Sequence, residues 1–367
     1  MNLPEIIIKK IKENGPICFQ EFMEMCLYYP ELGYYTSQRN KIGKNGDFYT
    51  SAYLTPIFGI LIGKQLEEMW NILDNNPFTI VEYGAGTGML CHDILSYLKH
   101  NKRMYDQLSY CIIEKSPAMR EIEKSHLNEK VSWYDSIEEI PAIEGCILSN
   151  ELIDNFAVHQ VKMDKELMEL FLTYENEFKE VWKPASAELR KYLKELKVEL
   201  PQGFRTEINL QAIDWIKEIA ARLKRGYVMT IDYGYLSTEL YKPYRRQGTL
   251  VCYHNHTVNE CLYDHIGLQD ITSHVNFSAL RHWGAKNGLA ECGFTDQCHF
   301  LLAMGFKELI HEALSHEKDI AAAARKASML SHTLLLDMGN KFKFLIQEKG
   351  MNGKKLSGLT NMYHMIR

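Results

Sequence analysis

Short apolar runs alternate with stretches of helical period along most of this chain. Phe78 to Val81 is one such run and predicts a buried parallel strand. Behind it, Leu90, Ile94, Leu95 and Leu98 recur on one face and predict a helix over Met89 to Leu98. Tyr110 to Glu114, Val131 to Tyr134, Gly145 to Asn150 and Tyr227 to Ile231 predict four more strands, with Ser116-Pro117 opening a helix after the second. Residues 3–14, Phe19 to Leu27 and Pro56 to Leu73 carry helical spacing ahead of the first strand. Phe294 to Met304 and Lys341 to Gln347 read as an antiparallel closing pair, with Ala321 to Arg325 on an exposed helix between them. Strands separated by helix-length segments predict an α/β protein with a doubly wound parallel sheet. Two spans exceed simple crossovers: His159 to about Glu207, which holds the charged helical run Glu188 to Lys197, and Tyr235 to about Ala279. They read as insertions at the carboxyl edge of the sheet, where substrate-selecting parts sit. The expected organisation is an N-terminal helical or lid region over residues 1–75 and a core over 76–367, with insertions at about 159–207 and 235–279.

The first strand runs into Glu82-Tyr83-Gly84-Ala85-Gly86-Thr87-Gly88. Glycines at a strand-to-helix turn allow a tight bend and let a ligand approach the backbone. A dinucleotide fingerprint wants a third glycine where this chain has Met89. Here the glycines alternate, and Glu82 stands two residues before the first. A pyrophosphate is repelled by that carboxylate, whereas S-adenosylmethionine (SAM) brings an ammonium, a sulfonium and no phosphate. The competing readings of the turn are a nicotinamide site, which Met89 disfavours, and a turn that binds nothing.

Composition narrows the class. The chain has 367 residues, 46% apolar and 24% charged, which suits a folded protein with a sizeable core. A net charge of −5 argues against a nucleic-acid partner. The nine cysteines include no C-x-x-C pair, which fits a reduced compartment better than disulfides or a zinc site. No apolar run reaches the ~18 residues of a membrane span. The first residues look like neither a signal peptide nor a transit peptide, and the expectation is a cytoplasmic protein. His254, His256, His265 and His274 lie in the second insertion without a metal-ligand spacing, so no metal site is expected.

Ligands of an open α/β sheet bind beyond the carboxyl ends of its strands. Those ends carry Glu82, Glu114, Asp135, Asn150-Glu151 and Asp232. Glu114 suits the two hydroxyls of a ribose, and Asp135 the adenine amino group; each also suits a helix cap. Asn150 and Glu151 lie at the strand end that faces the methyl group in a SAM enzyme, and Asp154, three residues on, shares a face with Glu151 if the turn is helical. The stretch is not Asn-Pro-Pro-aromatic, which lowers the weight of a nucleic-acid base as substrate.

Taken together, these motifs resemble the MidA-like SAM-dependent methyltransferases, a family that includes a mitochondrial assembly factor for respiratory complex I. The resemblance runs over nearly the whole chain. It rests on Gly15-Pro16-Ile17, Gly33-Tyr34-Tyr35, Gly46-Asp47-Phe48-Tyr49-Thr50 with Phe58-Gly59, and Glu82 to Gly88. It continues through Asn150-Glu151 with Asp154, Arg205 to Asn209, Asp232-Tyr233-Gly234, Gly248-Thr249-Leu250, and Gln269-Asp270-Ile271-Thr272 with His274, Val275 and Phe277.

The resemblance implies a seven-stranded, Rossmann-like methyltransferase sheet with insertions after strands four and five. It implies SAM as cofactor and methylation of a protein arginine, with a respiratory-complex subunit among the partners. Cofactor contacts are then expected from Asp47, Thr50, Glu82, Gly84, Gly86, Gly88, Glu114, Asp135 and Asn150. Residues Gly43 to Thr50 are expected to fold over the cofactor as a lid. For an arginine acceptor, Glu151 is the expected catalytic carboxylate, while Asp154 either holds the other side of the guanidinium or orders the turn. Two positions depart from the family pattern: Ala52-Tyr53 replaces Pro-Glu after Ser51, and Asn276 replaces Asp before Phe277. Because both remove a carboxylate, the alternative function is a non-catalytic, SAM-binding assembly chaperone.

Overall fold

Buried parallel strands need apolar side chains on both faces, and the runs read above become the middle of a mixed sheet. The structure is a computed structural model and describes residues 1–360 apart from 40, 42, 44, 45, 48, 128, 129 and 316–318. The sheet strands are β1 (Phe78–Tyr83), β2 (Leu108–Ile113), β3 (Val131–Tyr134), β4 (Ile143–Asn150), β5 (Leu223–Tyr235), β6 (Ala290–Asp296) and β7 (Phe342–Lys349). Their order is β6-β7-β5-β4-β1-β2-β3. The strands β1 to β5 pair in parallel, and β7 is antiparallel to both of its neighbours.

The α/β reading therefore holds, with two differences in detail. The sheet has eight strands instead of seven, because the two-residue strand Val275–Asn276 pairs with the end of β5. So short a strand leaves no periodic signal. The sheet is mixed because β7 runs antiparallel to β6 and β5, and the antiparallel direction expected of the closing pair holds. The stretch from Phe294 to Met304 is not one strand: Asp296 caps a helix, Gln297–Ala303, by accepting from the His299 N–H at 2.9 Å. Phe300 on that helix stacks on Phe344 of β7, ring centroids 3.9 Å apart.

The chain divides into two units, each assembled from three segments. One consists of residues 49–151, 218–233 and 284–367 and contains the sheet through Tyr233 of β5. Helices Pro56–Ile72 and Met89–Leu98 bury Phe58, Leu61, Ile62, Leu66, Leu90 and Ile94 in its core. Each such side chain contributes about 1.5–3 kcal/mol on burial.

The other unit consists of residues 1–48, 152–217 and 234–283. Its main sheet is antiparallel, in the order Ile17–Cys18, Leu167–Tyr174, His159–Met163 and Arg205–Ile208, with Phe178–Pro184 pairing Leu167–Tyr174. Helices Leu3–Asn14 and Phe19–Tyr28 bury Ile7, Ile11, Phe19, Phe22 and Leu27 in the same core as Leu170 and Leu172 of this sheet. A three-stranded sheet joins Thr257–Asn259, Val251–His254 and Asp270–Thr272. Part of the expected lid, at residues 44, 45 and 48, lies outside the described residues. Among the described residues no helix is long and apolar enough to cross a membrane.

Candidate active site

The turn after β1 is built as its glycines require. Gly84, Gly86 and Gly88 have φ of 65°, 60° and 78°, left-handed values that cost any residue with a Cβ. The Gly84 N–H donates to the Ile113 carbonyl at 2.9 Å, and the Gly88 N–H donates to that of Ala85 at 2.9 Å. The backbone thus folds back over the ends of β1 and β2, and the helix Met89–Leu98 starts directly behind it.

Carboxylates surround this turn. Glu82 is 2% exposed and accepts from the Tyr110 hydroxyl at 2.7 Å. Burial pushes its carboxyl up to about 7, against the pull of that hydrogen bond. Glu123, on the helix Pro117–His126, is fully buried. The indole N–H of Trp133 donates to one of its oxygens at 2.7 Å. Its other oxygen has no hydrogen-bond partner among the described residues. Burial first, then the neighbouring Glu114, raise Glu123 to about 9. Sequence reasoning missed Glu123, which sits in a run that looks solvent-facing, Arg120-Glu121-Ile122-Glu123-Lys124. Its one signal was the spacing of four from buried Met119. Buried acids beside this turn are costly to ionise alone and gain a partner when a cation binds, which is the fit that SAM, with its ammonium and sulfonium, requires.

The other cofactor candidates take ordinary partners. Glu114 accepts from the Ser116 N–H at 2.7 Å, but the cap of the helix Pro117–His126 is Ser116 itself, whose hydroxyl accepts from the Met119 N–H at 3.3 Å. Asp135 is exposed and pairs with Arg120 at 2.6 Å. The cap open to Asp135 belongs instead to Ser136, whose hydroxyl accepts from the Glu138 N–H. Thr50 caps the short helix Ser51–Leu54 by accepting from the Tyr53 N–H at 3.2 Å. Asn150 ends β4, and its amide donates to Glu151 at 3.3 Å. Glu151 also accepts from the Ser51 N–H at 3.4 Å, and its own N–H donates to Ile231 at 2.9 Å. The strand end and the start of the Ser51 helix therefore meet at this carboxylate.

Glu151 has φ of 52°, a left-handed conformation uncommon for a residue with a side chain. The short 3-10 turn that follows spans Ile153–Asn155 and begins after it. Glu151 and Asp154 are thus not two positions of one helical turn, because the backbone reverses hand between them. Asp154 and Asp47 belong to the other unit. There, Asp47 accepts from the Tyr34 hydroxyl at 2.8 Å and from the Asn255 N–H at 2.6 Å. Asp154 is buried, and its carbonyl accepts from the Ser273 N–H at 2.9 Å.

A third aspartate joins them. Asp270 is 2% exposed; one oxygen accepts from the Tyr35 hydroxyl at 3.0 Å, and the other has no hydrogen-bond partner among the described residues. Burial, then Asp154 and more weakly Asp47, push it up to about 8. The sequence showed Asp270 only as part of a matched motif.

The family departures have local explanations. Asn276 donates to the hydroxyls of Tyr192 and Tyr241 at 3.1 and 3.2 Å, and accepts from Ser237 and from the Ser278 N–H at 3.1 Å each. An amide satisfies this set of two donors and two acceptors, so Asn276 organises the fold. The non-catalytic reading gains nothing from it. Nothing in the structure explains Tyr53. His254 and His265 stack on each other at 4.3 Å, and the histidines of the second insertion form no metal-type group among the described residues.

The sequence pattern of a family described as S-adenosyl-L-methionine-dependent methyltransferases matches residues 61–295. The chain belongs to this family. As a methyltransferase it takes SAM as cofactor. It is 26% identical to the protein arginine methyltransferase NDUFAF7 homolog, mitochondrial, of Drosophila melanogaster, over 93% of this chain and 84% of that protein. It is 26% identical to the mitochondrial protein arginine methyltransferase NDUFAF7 of Mus musculus, over 92% of this chain and 82% of that one. A Burkholderia thailandensis methyl transferase solved with S-adenosyl-homocysteine bound superposes with a TM-score of 0.87 at 28% identity, covering 98% and 94% of the two chains. The relatives' names overturn the cytoplasmic expectation, since each is described as mitochondrial. An N-terminal sequence without a recognisable leader was no ground for it.

The acid-lined turn makes stability depend on pH with a definite sign. Glu82 and Glu123 hold protons in the folded state above their ordinary value of 4.5, at about 7 and about 9. The stability they contribute is full below the unfolded value and is lost as pH rises through the folded ones. The urea midpoint of the methyltransferase is therefore expected to fall between about pH 5 and pH 9, and Glu123→Gln to flatten that fall. An identical pH profile in Glu123→Gln would show that this carboxyl is not the source.

Proposed function

We propose that this methyltransferase transfers the SAM methyl group to an arginine side chain of a protein, and that the substrate is a subunit of a complex whose assembly it serves, a respiratory complex being the case the family offers. The observation that carries the arginine reading is Asp270, a buried carboxylate with one unsatisfied oxygen and Asp154 and Asp47 in electrostatic reach. A guanidinium is planar, always charged and rich in donors, so it answers such a group better than a hydroxyl or an amide. The relatives named as protein arginine methyltransferases support the same class, and their names point to a mitochondrial setting.

When bound, SAM supplies an electrophilic methyl carbon on sulfur. In this reading Glu82 and the Gly84–Gly86–Gly88 turn hold the cofactor, with Asn150 at the next strand end and Thr50, Asp47, Glu114 and Asp135 contributing around it. Glu151 takes the acceptor guanidinium and draws positive charge away from the attacking nitrogen. Asp154, three residues further along the chain, holds the other side of the guanidinium or orders the turn. No ordinary base removes a proton from arginine beforehand, since its pKa lies above ~12, so positioning and charge supply the rate.

The test is transfer of labelled methyl groups into a lysate lacking the protein's own gene, followed by acid hydrolysis of the labelled band. Label in methylarginine is expected. Label only in lysine, a carboxyl ester or a small molecule would sink the arginine assignment. In the same assay Asp270→Asn is expected to raise KM for the protein substrate at least about tenfold, with SAM affinity unchanged, since a charge-assisted contact is removed. An unchanged KM would exclude Asp270 from substrate binding.

A further inference from the structure

Away from the carboxylates described so far, three strands of the antiparallel sheet bring together a thiol, an imidazole and a carboxylate. Cys18 lies on Ile17–Cys18, His159 on His159–Met163 and Glu169 on Leu167–Tyr174. Their register puts the three on one face. Cys18 pairs with Phe171, two residues from Glu169; Glu169 pairs with Val161, two residues from His159. Directly paired residues share a face, and so do residues two apart on a strand. One candidate ligand atom from each residue then falls within 4.8 Å of the other two. Among the described residues this is the one group of three metal-type side chains with that spacing. His159 Nδ1 lies 2.7 Å from Glu169 Oε1, which fixes the ring, and Glu169 is buried.

We propose that Cys18, His159 and Glu169 form a site for a divalent transition ion, with zinc the best match. Sulfur, nitrogen and one oxygen suit zinc, cobalt or iron(II), whereas calcium and magnesium want oxygen throughout. Three protein ligands leave one position of a tetrahedron for water. On binding, Cys18 enters as thiolate and passes its proton to solvent, and His159 enters as the neutral imidazole. The consequence is mechanical. Ile17–Cys18 is a two-residue edge strand between the helices Leu3–Asn14 and Phe19–Tyr28. A metal there ties this junction to the hairpin His159–Met163 and Leu167–Tyr174.

Burial foremost, with the nearby Glu169 and Glu21 carboxylates adding to it, raises the Cys18 thiol above its ordinary value.

Purified, metal-stripped full-length protein is titrated with cobalt(II), and the thiolate-to-cobalt charge-transfer band is followed; zinc then competes the signal away. One equivalent, with the band present, is expected. Cys18→Ala should abolish the band, while Cys261→Ser, at an exposed cysteine, should leave it intact. Glu169→Gln should weaken binding roughly tenfold or more, the scale of losing a ligand or its support, with the far-ultraviolet dichroism unchanged. Zinc should also raise the unfolding midpoint of the wild type but not of Cys18→Ala. Absence of the band in the wild type, the same band in Cys18→Ala, or its loss in Cys261→Ser would each overturn the site. If Cys18→Ala does not fold, Glu169→Gln decides: unchanged cobalt affinity rejects the proposal.

Discussion

Gly86→Val is expected to abolish SAM binding while leaving the protein folded. Gly86 has φ of 60° at the centre of the turn, a conformation a β-branched residue reaches only with strain. That strain costs about 1–2 kcal/mol, a loss a domain of this size survives. Binding suffers more, because the branched side chain fills the space where the backbone must meet the ligand. Calorimetric titration of the folded variant with SAM should give no measurable heat of binding, and Gly86→Ala an intermediate loss. Wild-type affinity in the valine variant would remove the turn from the cofactor site and reopen every assignment made around it.

Glu151→Gln tests the chemistry instead of the cofactor. The substituted amide keeps an oxygen to accept from the Ser51 N–H and from Asn150, and it is no worse than glutamate at a left-handed φ, so the strand end stays as it is. What disappears is the negative charge offered to the guanidinium. Turnover should fall roughly a hundredfold or more, the scale of losing one preorganised charge contact. SAM affinity should remain near that of the wild type, because Glu151 is assigned to the acceptor. A falling kcat with constant SAM affinity separates this role from a folding defect. Full methyl transfer by Glu151→Gln would point to acceptor chemistry that needs no carboxylate at this strand end.

The parallel strands were legible for a plain reason. A strand buried on both faces must be apolar throughout, and Phe78 to Val81 or Cys146 to Leu148 have few other readings. The helix Met89–Leu98 was equally plain, since one apolar stripe faces one core. The hairpin of His159–Met163 and Leu167–Tyr174 was not, and the span was read only as an insertion with a charged helix. Its strands mix buried and half-buried positions without clean alternation, so neither period stands out. At the site, the glycines and Glu82 declared themselves because backbone geometry and charge are written in residue type. Glu123 and Asp270 did not: each is a buried acid whose hydrogen-bond partner stands on another element, Trp133 on the next strand for Glu123 and Tyr35, 235 residues away, for Asp270. The left-handed backbone at Glu151 was invisible as well, since nothing in Asn150-Glu151-Leu152 demands it.

That the chain visits each unit three times has a bearing on how the protein is made. Ile17 and Cys18 find their strand partners only at Leu172 and Phe171, so the first helices leave the ribosome well before the sheet they will cover exists. At ~5–20 residues per second that wait lasts on the order of ten seconds, with Phe19 and Phe22 without their final packing partners. Closing so long a loop is also slow in its own right. For the same reason neither unit is a contiguous stretch of gene. A premature stop ahead of residue 283 leaves both unfinished, and neither half can be lent to another protein by simple fusion of coding sequence. Substrate choice in this architecture therefore has to drift by substitution in place, one residue at a time, instead of arriving with a borrowed module.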